Sequence, residues 1–96
     1  MAYVTITTWE LRDAVNFDLI MERMRDKRLP ALKELGAERV TVLRTSDRTV
    51  AAISEWPDKA SRDAAAEAIN AVRGKVRTED YSVMTGEMSG EVVGAV

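Results

Sequence analysis

The sequence predicts an α+β domain in which two helices cover one face of a four-stranded antiparallel sheet. Three observations predict it. Four segments alternate polar and apolar side chains, two others carry apolar residues at helical spacing, and turn residues separate them. Their order is strand, helix, strand, strand, helix, strand. The 96 residues show no internal repeat, so we expect a single domain covering 1–96.

Composition narrows the range of functions. With 46% hydrophobic and 31% charged residues, the chain has the composition of an ordinary globular protein, and its formal charge of −2 gives no reason to expect nucleic-acid binding. It lacks an apolar run long enough for a membrane span and lacks the features of a signal peptide, so we expect a cytoplasmic protein without a membrane partner. The chain contains no cysteine and no histidine. Thiol catalysis, histidine catalysis and histidine-ligated metals are therefore excluded, and we expect no metal and no cofactor.

The first strand is predicted over residues 3–11, YVTITTWEL, where polar and apolar positions alternate. Alternation gives the strand a mixed face and a second face that is more aliphatic. The mixed face carries Tyr3, Thr5, Thr7 and Trp9, and the other carries Val4, Ile6, Thr8 and Glu10.

The first helix is predicted over residues 17–35, with Asn16 as its N-cap. Pro30 has no amide hydrogen, so we expect the helix to kink or restart there. Gly36 is expected to end it in a left-handed conformation. The basic cluster Arg25, Lys27 and Arg28 is interpreted as a solvated helix face, because acidic residues lie among these charges.

A hairpin is predicted from residues 39–45 and 49–56, which are rich in Val, Thr and Ile and flank a polar turn. A loop with an even number of residues sets the register. It places Val42 opposite Ile53, Thr41 opposite Ser54, and Leu43 opposite Ala52.

The chain then enters a second helix, predicted over 58–73, with Asp58 as its N-cap and Gly74 as its stop. Its small apolar residues would let it lie close on a sheet. Alternation predicts the last strand over 81–88. We expect the tail, residues 89–96, to lie at a dimer interface.

The sheet face that the helices leave open is expected to carry large apolar side chains. These are Tyr3, Trp9, Leu43, Val50 and Trp56. Such a face is too apolar to remain in water, so we expect two copies of the chain to pair through their sheets.

The order of elements is that of the ferredoxin-like, or split βαβ, fold. Two stretches narrow the comparison further: ISEWPDKA at 53–60, a strand ending in Trp that leads into an alanine-rich helix, and LPALKELGA at 29–37. In these stretches the chain resembles the dimeric α+β barrel superfamily, and its antibiotic-biosynthesis-monooxygenase-like branch most.

The resemblance implies a homodimer whose two sheets form a barrel, and a pocket in each protomer between sheet and helices. Members of the superfamily include cofactor-independent oxygenases, haem-degrading enzymes, isomerases and proteins without known activity. The haem-degrading members carry a histidine on the second helix, where residues 64–67 here read AAAE. We therefore expect no haem.

The candidate site lies at two strand ends, Trp9-Glu10 and Glu55-Trp56, which we expect to meet at one sheet edge because the first and third strands are interpreted as parallel neighbours. Glu10 and Glu55 would form a catalytic pair on the helix-covered face, since nearby carboxylates raise one another's proton affinity. Trp9 and Trp56 would stack a planar ligand. Thr7 and Ser54 are further predicted substrate contacts. Alternatively, both glutamates are solvated and both tryptophans fill the dimer core.

Two functions remain open from the sequence. The first is a cofactor-independent, monooxygenase-like or isomerase-like enzyme acting on a small planar hydrophobic molecule. The alternative is a non-catalytic module that binds a small molecule or is purely structural.

Overall fold

The computed structural model describes residues 2–12, 16–76 and 82–96. Their strands are β1 (Tyr3–Leu11), β2 (Arg39–Arg44), β3 (Thr49–Trp56) and β4 (Ser82–Glu91). The strands form one sheet in the order β2-β3-β1-β4, and every neighbouring pair is antiparallel. With the helices on one face of this sheet, the predicted ferredoxin-like α+β fold is confirmed.

The first helical region has three consecutive parts: α1 (Phe17–Arg23), a π-helical segment (Met24–Arg28) and α2 (Leu29–Glu34). The Asn16 side chain accepts a hydrogen bond from the Leu19 amide at 3.2 Å, which confirms the predicted N-cap. Gly36 has a φ of 115° and follows the helix end, also as predicted.

Pro30 gives a physical reason for the π-helical segment. In an α-helix its ring would collide with the carbonyl four residues earlier, and it has no amide hydrogen to donate. The wider turn just before Pro30 relieves that crowding, and the Leu29 amide donates to the Met24 carbonyl, five residues back. The expected kink or restart at Pro30 is thus a π-helical turn that precedes it.

Helix α3 (Lys59–Val76) begins where Asp58 caps it. The Asp58 carboxylate accepts a hydrogen bond from the Ser61 amide at 2.7 Å. The predicted end at Gly74 is wrong, because the helix continues to Val76. A glycine costs only about 1 kcal/mol within a helix, which neighbouring interactions easily offset.

The predicted hairpin register is wrong by one residue. Thr41 lies opposite Ile53 and Val42 opposite Ala52. The loop contains three residues, 46–48, and closes where the Thr45 amide donates to the Thr49 carbonyl at 3.0 Å. Hydroxyl contacts favour this odd-numbered loop, since Thr45 Oγ1 lies 2.6 Å from Thr49 Oγ1. Leu43 accordingly pairs with Ala51 rather than Ala52.

Strands β1 and β3 are antiparallel neighbours, so their predicted parallel arrangement is wrong. Tyr3 pairs with Trp56 and Trp9 pairs with Val50. The chain direction explains this result. The first helical region returns the chain so that β2 runs parallel to β1, and the hairpin then reverses it, so β3 runs the opposite way between them.

The helices cover the mixed face of the sheet, not the aliphatic one. Trp56 is fully buried in a cluster with Ala37, Ala65 and Ile69, against which Tyr3 packs. The prediction that Tyr3, Trp9, Val50 and Trp56 line the open face is therefore wrong, and of the predicted residues only Leu43 lies there. Apolar residues of the open face include Val4, Ile6, Leu43, Ile53, Val83 and Met88.

Strand β4 pairs with β1 and extends beyond the predicted end at 88 to Glu91. The Val92 amide then donates to the Ala2 carbonyl at 2.8 Å. Residues 89–92 therefore pair within the chain, and a role of 89–96 in a dimer interface stays a prediction. The expected strand start at Tyr81 lies outside the described residues. None of the helices described is both long and apolar enough to cross a membrane.

Candidate functional site

The two predicted catalytic glutamates do not meet. In the sheet, Glu10 lies opposite Thr49 and Glu55 lies opposite Val4. Val4 and Glu10 are six residues apart on β1, which corresponds to about 20 Å along a strand. Both glutamates lie on the open face, and Glu55 Oε2 is 3.8 Å from Arg39 Nε. Within one chain, the antiparallel register therefore keeps these two carboxylates too far apart to share a proton.

The two tryptophans instead make the same contact at opposite ends of the covered face. Trp9 Nε1 donates to Thr7 Oγ1 at 2.8 Å, and Trp56 Nε1 donates to Ser54 Oγ at 3.0 Å. In each case the acceptor lies two residues earlier on the same strand, so strand alternation alone puts both side chains on one face. Each buried indole therefore has its N–H group satisfied by a hydroxyl.

A cavity of about 30 Å³ lies between the covered face and the helices, enough space for one or two water molecules. Its polar lining residues are Thr5, Thr7, Ser54, Arg28 and Arg62. Its apolar lining residues are Met24, Leu29, Leu32, Val40, Ala52 and Ile69. The structure thus brings the predicted contacts Thr7 and Ser54 together at one cavity.

Arginine side chains approach this cavity from both helical regions. Arg28 is 6% exposed, and its guanidinium carbon lies 4.5 Å from the centroid of the Trp9 ring. The guanidinium carbon of Arg62 lies 5.9 Å from the Trp56 centroid, and its Nε donates to Thr5 Oγ1 at 3.2 Å. Two positive charges therefore flank a small, largely enclosed space.

The hydroxyl groups of the cavity can act as donors. A hydroxyl oxygen that accepts a hydrogen bond still has its own hydrogen to donate. Because the indoles donate to Thr7 and Ser54, the hydrogens of these two hydroxyls are available to a bound group. Together with the N–H groups of Arg28 and Arg62, they form a donor-rich lining that suits an anionic oxygen.

Sequence reasoning missed both arginines. Arg28 was grouped with Arg25 and Lys27 as solvated, which is correct for those two exposed residues and wrong for Arg28. A signal was present, because Arg28 falls four residues after Met24 and four before Leu32 on the apolar stripe. Arg62 similarly precedes the buried Ala65 and Ile69 at spacings of three and seven residues.

The described residues contain no group of three or more Asp, Glu, His or Cys side chains that could hold a metal ion.

No protein-family model matches the chain, and no curated protein matches it. Solved structures do match over nearly its whole length. A dimeric ferredoxin-like protein from an uncultured marine organism has a TM-score of 0.79 and 20% identity, covering 99% of this chain and 98% of its own. HapK from Hahella chejuensis has a TM-score of 0.77 and 19% identity, covering 98% and 95%. A mutant form of SnoaB, a cofactor-independent oxygenase from Streptomyces nogalater, has a TM-score of 0.77 and 14% identity, covering 99% and 96%.

These likenesses show the fold. The predicted resemblance to the antibiotic-biosynthesis-monooxygenase-like domains of the dimeric α+β barrel superfamily is confirmed as a likeness of fold. The proteins that share it include a cofactor-independent oxygenase and a dimeric protein of unknown function.

Proposed function

We propose that this protein is a small cofactor-independent enzyme, monooxygenase-like or isomerase-like, that acts on a planar hydrophobic molecule with an acidic hydroxyl or enol group. One observation carries the proposal: the donors of Thr7, Ser54, Arg28 and Arg62 surround a single small cavity. The shared fold with SnoaB, described as a cofactor-independent oxygenase, supports it.

The lining would stabilise the ionised form of such a molecule. A positive charge within hydrogen-bonding reach typically lowers the pKa of an acidic group by about 1–3 units. The resulting enolate is electron-rich at carbon. The hydroxyl proton passes to water and a proton from water returns to that carbon, which moves the double bond, so an isomerisation needs no further reactant.

Oxygenation needs dioxygen as the oxidant. The α-carbon of the enolate, which is the methylene carbon of the keto form, would form a bond to dioxygen. A proton from water converts the peroxide anion to a hydroperoxide. The hydroperoxide then loses water: its O–O bond and the remaining C–H bond break, and the methylene carbon becomes a carbonyl. The residues of the cavity contribute by holding the negative charge of the substrate before this step.

In this proposal the predicted site residues take different roles. Thr7 and Ser54 contact the ligand, as the sequence suggested. Trp9 and Trp56 position those hydroxyls through their N–H groups rather than stacking the ligand. The arginines replace the glutamate pair as the charged groups of the site.

The ionisation of bound 2-naphthol tests the proposal, because its neutral and ionised forms absorb at different wavelengths. Bound to the wild-type protein, naphthol should ionise at a pH about 1–3 units lower than in solution. Arg28→Met should return that pKa towards its value in solution, whereas the exposed neighbour Lys27 gives a matched control in Lys27→Met. An unshifted naphthol pKa in the wild-type protein would exclude the anion site.

Binding without turnover is the second candidate function. It is favoured by one observation: among the described residues, the cavity lining includes no carboxylate that could accept a proton from the substrate. The enolisable ketone 2-tetralone separates the two functions. Faster exchange of its α-hydrogens in D2O, followed by NMR, or protein-dependent oxygen uptake supports the enzyme, and saturable binding without either supports the binding module.

We also infer that the protein forms a homodimer through the open face of its sheet. The face is aliphatic, with Leu43 46% and Met88 67% exposed, and the dimeric marine protein has the same fold. Burial of such a face removes a large apolar area from water. Residues 89–92 pair with the first strand and its flank on one side, so the outer edge of β4 and residues 93–96 remain for the predicted interface contact of the tail.

Sedimentation at micromolar concentration tests the dimer. Ile53→Arg places a charge in the centre of the open face and should produce monomers. Leu19→Arg, at an exposed position of α1, should leave the dimer intact. A wild-type protein that sediments as a monomer would contradict this inference.

A further inference from the structure

An open groove runs beside the cavity, between the first helical region and the edge strand β2. Its volume is about 650 Å³, within the range of small-molecule sites. Its apolar lining residues are Phe17, Met21, Met24, Leu29, Val40 and Val42. The groove can therefore hold ring systems that the neighbouring cavity of about 30 Å³ cannot.

The cavity and the groove share part of their walls. Met24, Leu29 and Val40 line both. Met24 is the first residue of the π-helical segment, which also presents Arg28 to the cavity. Methionine and leucine side chains can adopt other rotamers at low cost, so a small movement of Met24 and Leu29 would join the two spaces.

The charges of the groove favour acidic molecules. Three arginines and one aspartate, Asp18, contribute to its lining. Arg39 is partly neutralised by Glu55, at 3.8 Å, which leaves Arg25 and Arg44 as the main positive charges. Arg44 lies over the Phe17 ring, with its guanidinium carbon 3.8 Å from the ring centroid. A positive rim over an apolar floor raises the local concentration of anionic, hydrophobic molecules.

We propose that the cavity and the groove are two parts of one binding site for an elongated phenol or enol. The acidic oxygen enters the cavity between Arg28 and Arg62, and the hydrophobic body lies in the groove over Met21 and Val42. Met24 and Leu29 form the passage between the parts and limit the width of the body that can pass. This inference rests on the proposed function and adds the shape of its substrate.

Binding of a series of 4-alkylphenols, from ethyl to heptyl, tests the groove by isothermal titration calorimetry. Burial of each further methylene should tighten Kd by up to about fourfold in the wild-type protein. Met21→Trp fills the groove and should remove this dependence on chain length. Leu19→Trp introduces the same side chain on the same helix at a residue 47% exposed, and should keep the dependence.

Val42→Trp fills the groove from the strand side and provides an independent test should Met21→Trp fail to fold. A pKa shift without chain-length dependence in the wild-type protein overturns the groove inference and leaves the proposed function standing. Chain-length dependence that survives in a folded Met21→Trp or Val42→Trp protein overturns it as well. Absence of both effects in the wild-type protein contradicts the groove and the proposed function together.

Discussion

Two similar sets of contacts approach the cavity, and they differ in how tightly the arginine is held. We call Thr7, Trp9 and Arg28 the Trp9 set, and Ser54, Trp56 and Arg62 the Trp56 set. In both, an indole donates to a hydroxyl two residues earlier and an arginine lies near the ring. Arg28 lies 4.5 Å from its ring and is 6% exposed, whereas Arg62 lies 5.9 Å away and is half-buried.

In each set the strand alone provides the indole-hydroxyl contact, and a helix adds the arginine. The indole-hydroxyl contact depends only on strand alternation, so it is nearly identical at both ends of the sheet. The position of each arginine depends on its helix. The π-helical segment brings Arg28 into the interior, where charge interactions are strong, and regular helix α3 leaves Arg62 nearer solvent, where they are screened.

Removal of the tryptophan rings should have the largest effect and test whether the two sets contribute alike to stability. Trp56→Ala should lower the free energy of unfolding by about 3–5 kcal/mol, since the fully buried ring leaves a large cavity. The loss for Trp9→Ala should lie in the lower part of that range, because Trp9 is 5% exposed. Urea denaturation measures both. A loss below about 1 kcal/mol in either variant would contradict the packing described.

The arginines should differ most in binding. Hydrogen bonds to charged groups contribute roughly 1.5–3 kcal/mol, so Arg28→Met should weaken binding of ionised 2-naphthol by about 10- to 100-fold. Arg62→Met should weaken it less, and added salt should reduce the Arg62 contribution much more than that of Arg28. Absorption titrations at low and high salt compare the two. Equal losses with equal salt dependence would show that burial does not distinguish them.

Loss of a hydroxyl should have an intermediate effect, because it leaves a buried indole N–H without its acceptor. Thr7→Val keeps the shape of the side chain and should lower the free energy of unfolding by about 1–3 kcal/mol. Ser54→Ala should lower the free energy of unfolding similarly, because it leaves the Trp56 N–H without its acceptor. The matched control is Thr7→Val combined with Trp9→Phe, which removes both partners. We compare the loss of unfolding free energy in this double variant with the sum of the losses in Thr7→Val and Trp9→Phe. If the two are equal, the hydrogen bond is not the cause.

The two N-caps should give the smallest effects and differ in pH dependence. The hydrogen bond from the Ser61 amide holds the pKa of the Asp58 carboxyl below its ordinary value of 3.8. Because this pKa is lower in the folded than in the unfolded protein, the ionised carboxylate stabilises the fold above about pH 4. That contribution is lost as the pH falls through the pKa of the folded protein. Asp58→Ala should therefore lower Tm at pH 7 and have less effect at about pH 2.

Asn16→Ala is the control for this pH dependence. The Asn16 amide caps α1 but does not titrate, so its replacement should cost about 1 kcal/mol at both pH values. Thermal unfolding of the two variants beside the wild-type protein provides the measurement. A pH-independent effect of Asp58→Ala would show that the carboxylate charge is not what stabilises α3.

Much of the fold could be predicted because its signals are local. The bounds of β1 and β3, and the caps Asn16 and Asp58, follow from alternation and from side-chain chemistry within a few residues. Part of the site followed for the same reason. Thr7 lies with Trp9 on the mixed face that alternation assigned, Ser54 lies on one face with Trp56 for the same reason, and each hydroxyl meets the indole two positions later on its strand.

The remaining features depend on contacts distant in sequence. Alternation defines two faces of a strand but not which one the helices cover, and both faces of β1 carry apolar side chains. The covered face is the one with the tryptophans, whose large rings are buried with their N–H groups satisfied. Chain direction set β1 and β3 antiparallel and so separated Glu10 from Glu55.

The sequence by itself thus determined the strands and helices, their order, and the placing of each tryptophan two residues after a hydroxyl on one strand, because each of these features is local. Only the tertiary structure decided that Arg28 and Arg62 meet at one cavity. Their positions depend on how two helices separated in the chain pack on the same sheet face, and on the π-helical turn before Pro30 that carries Arg28.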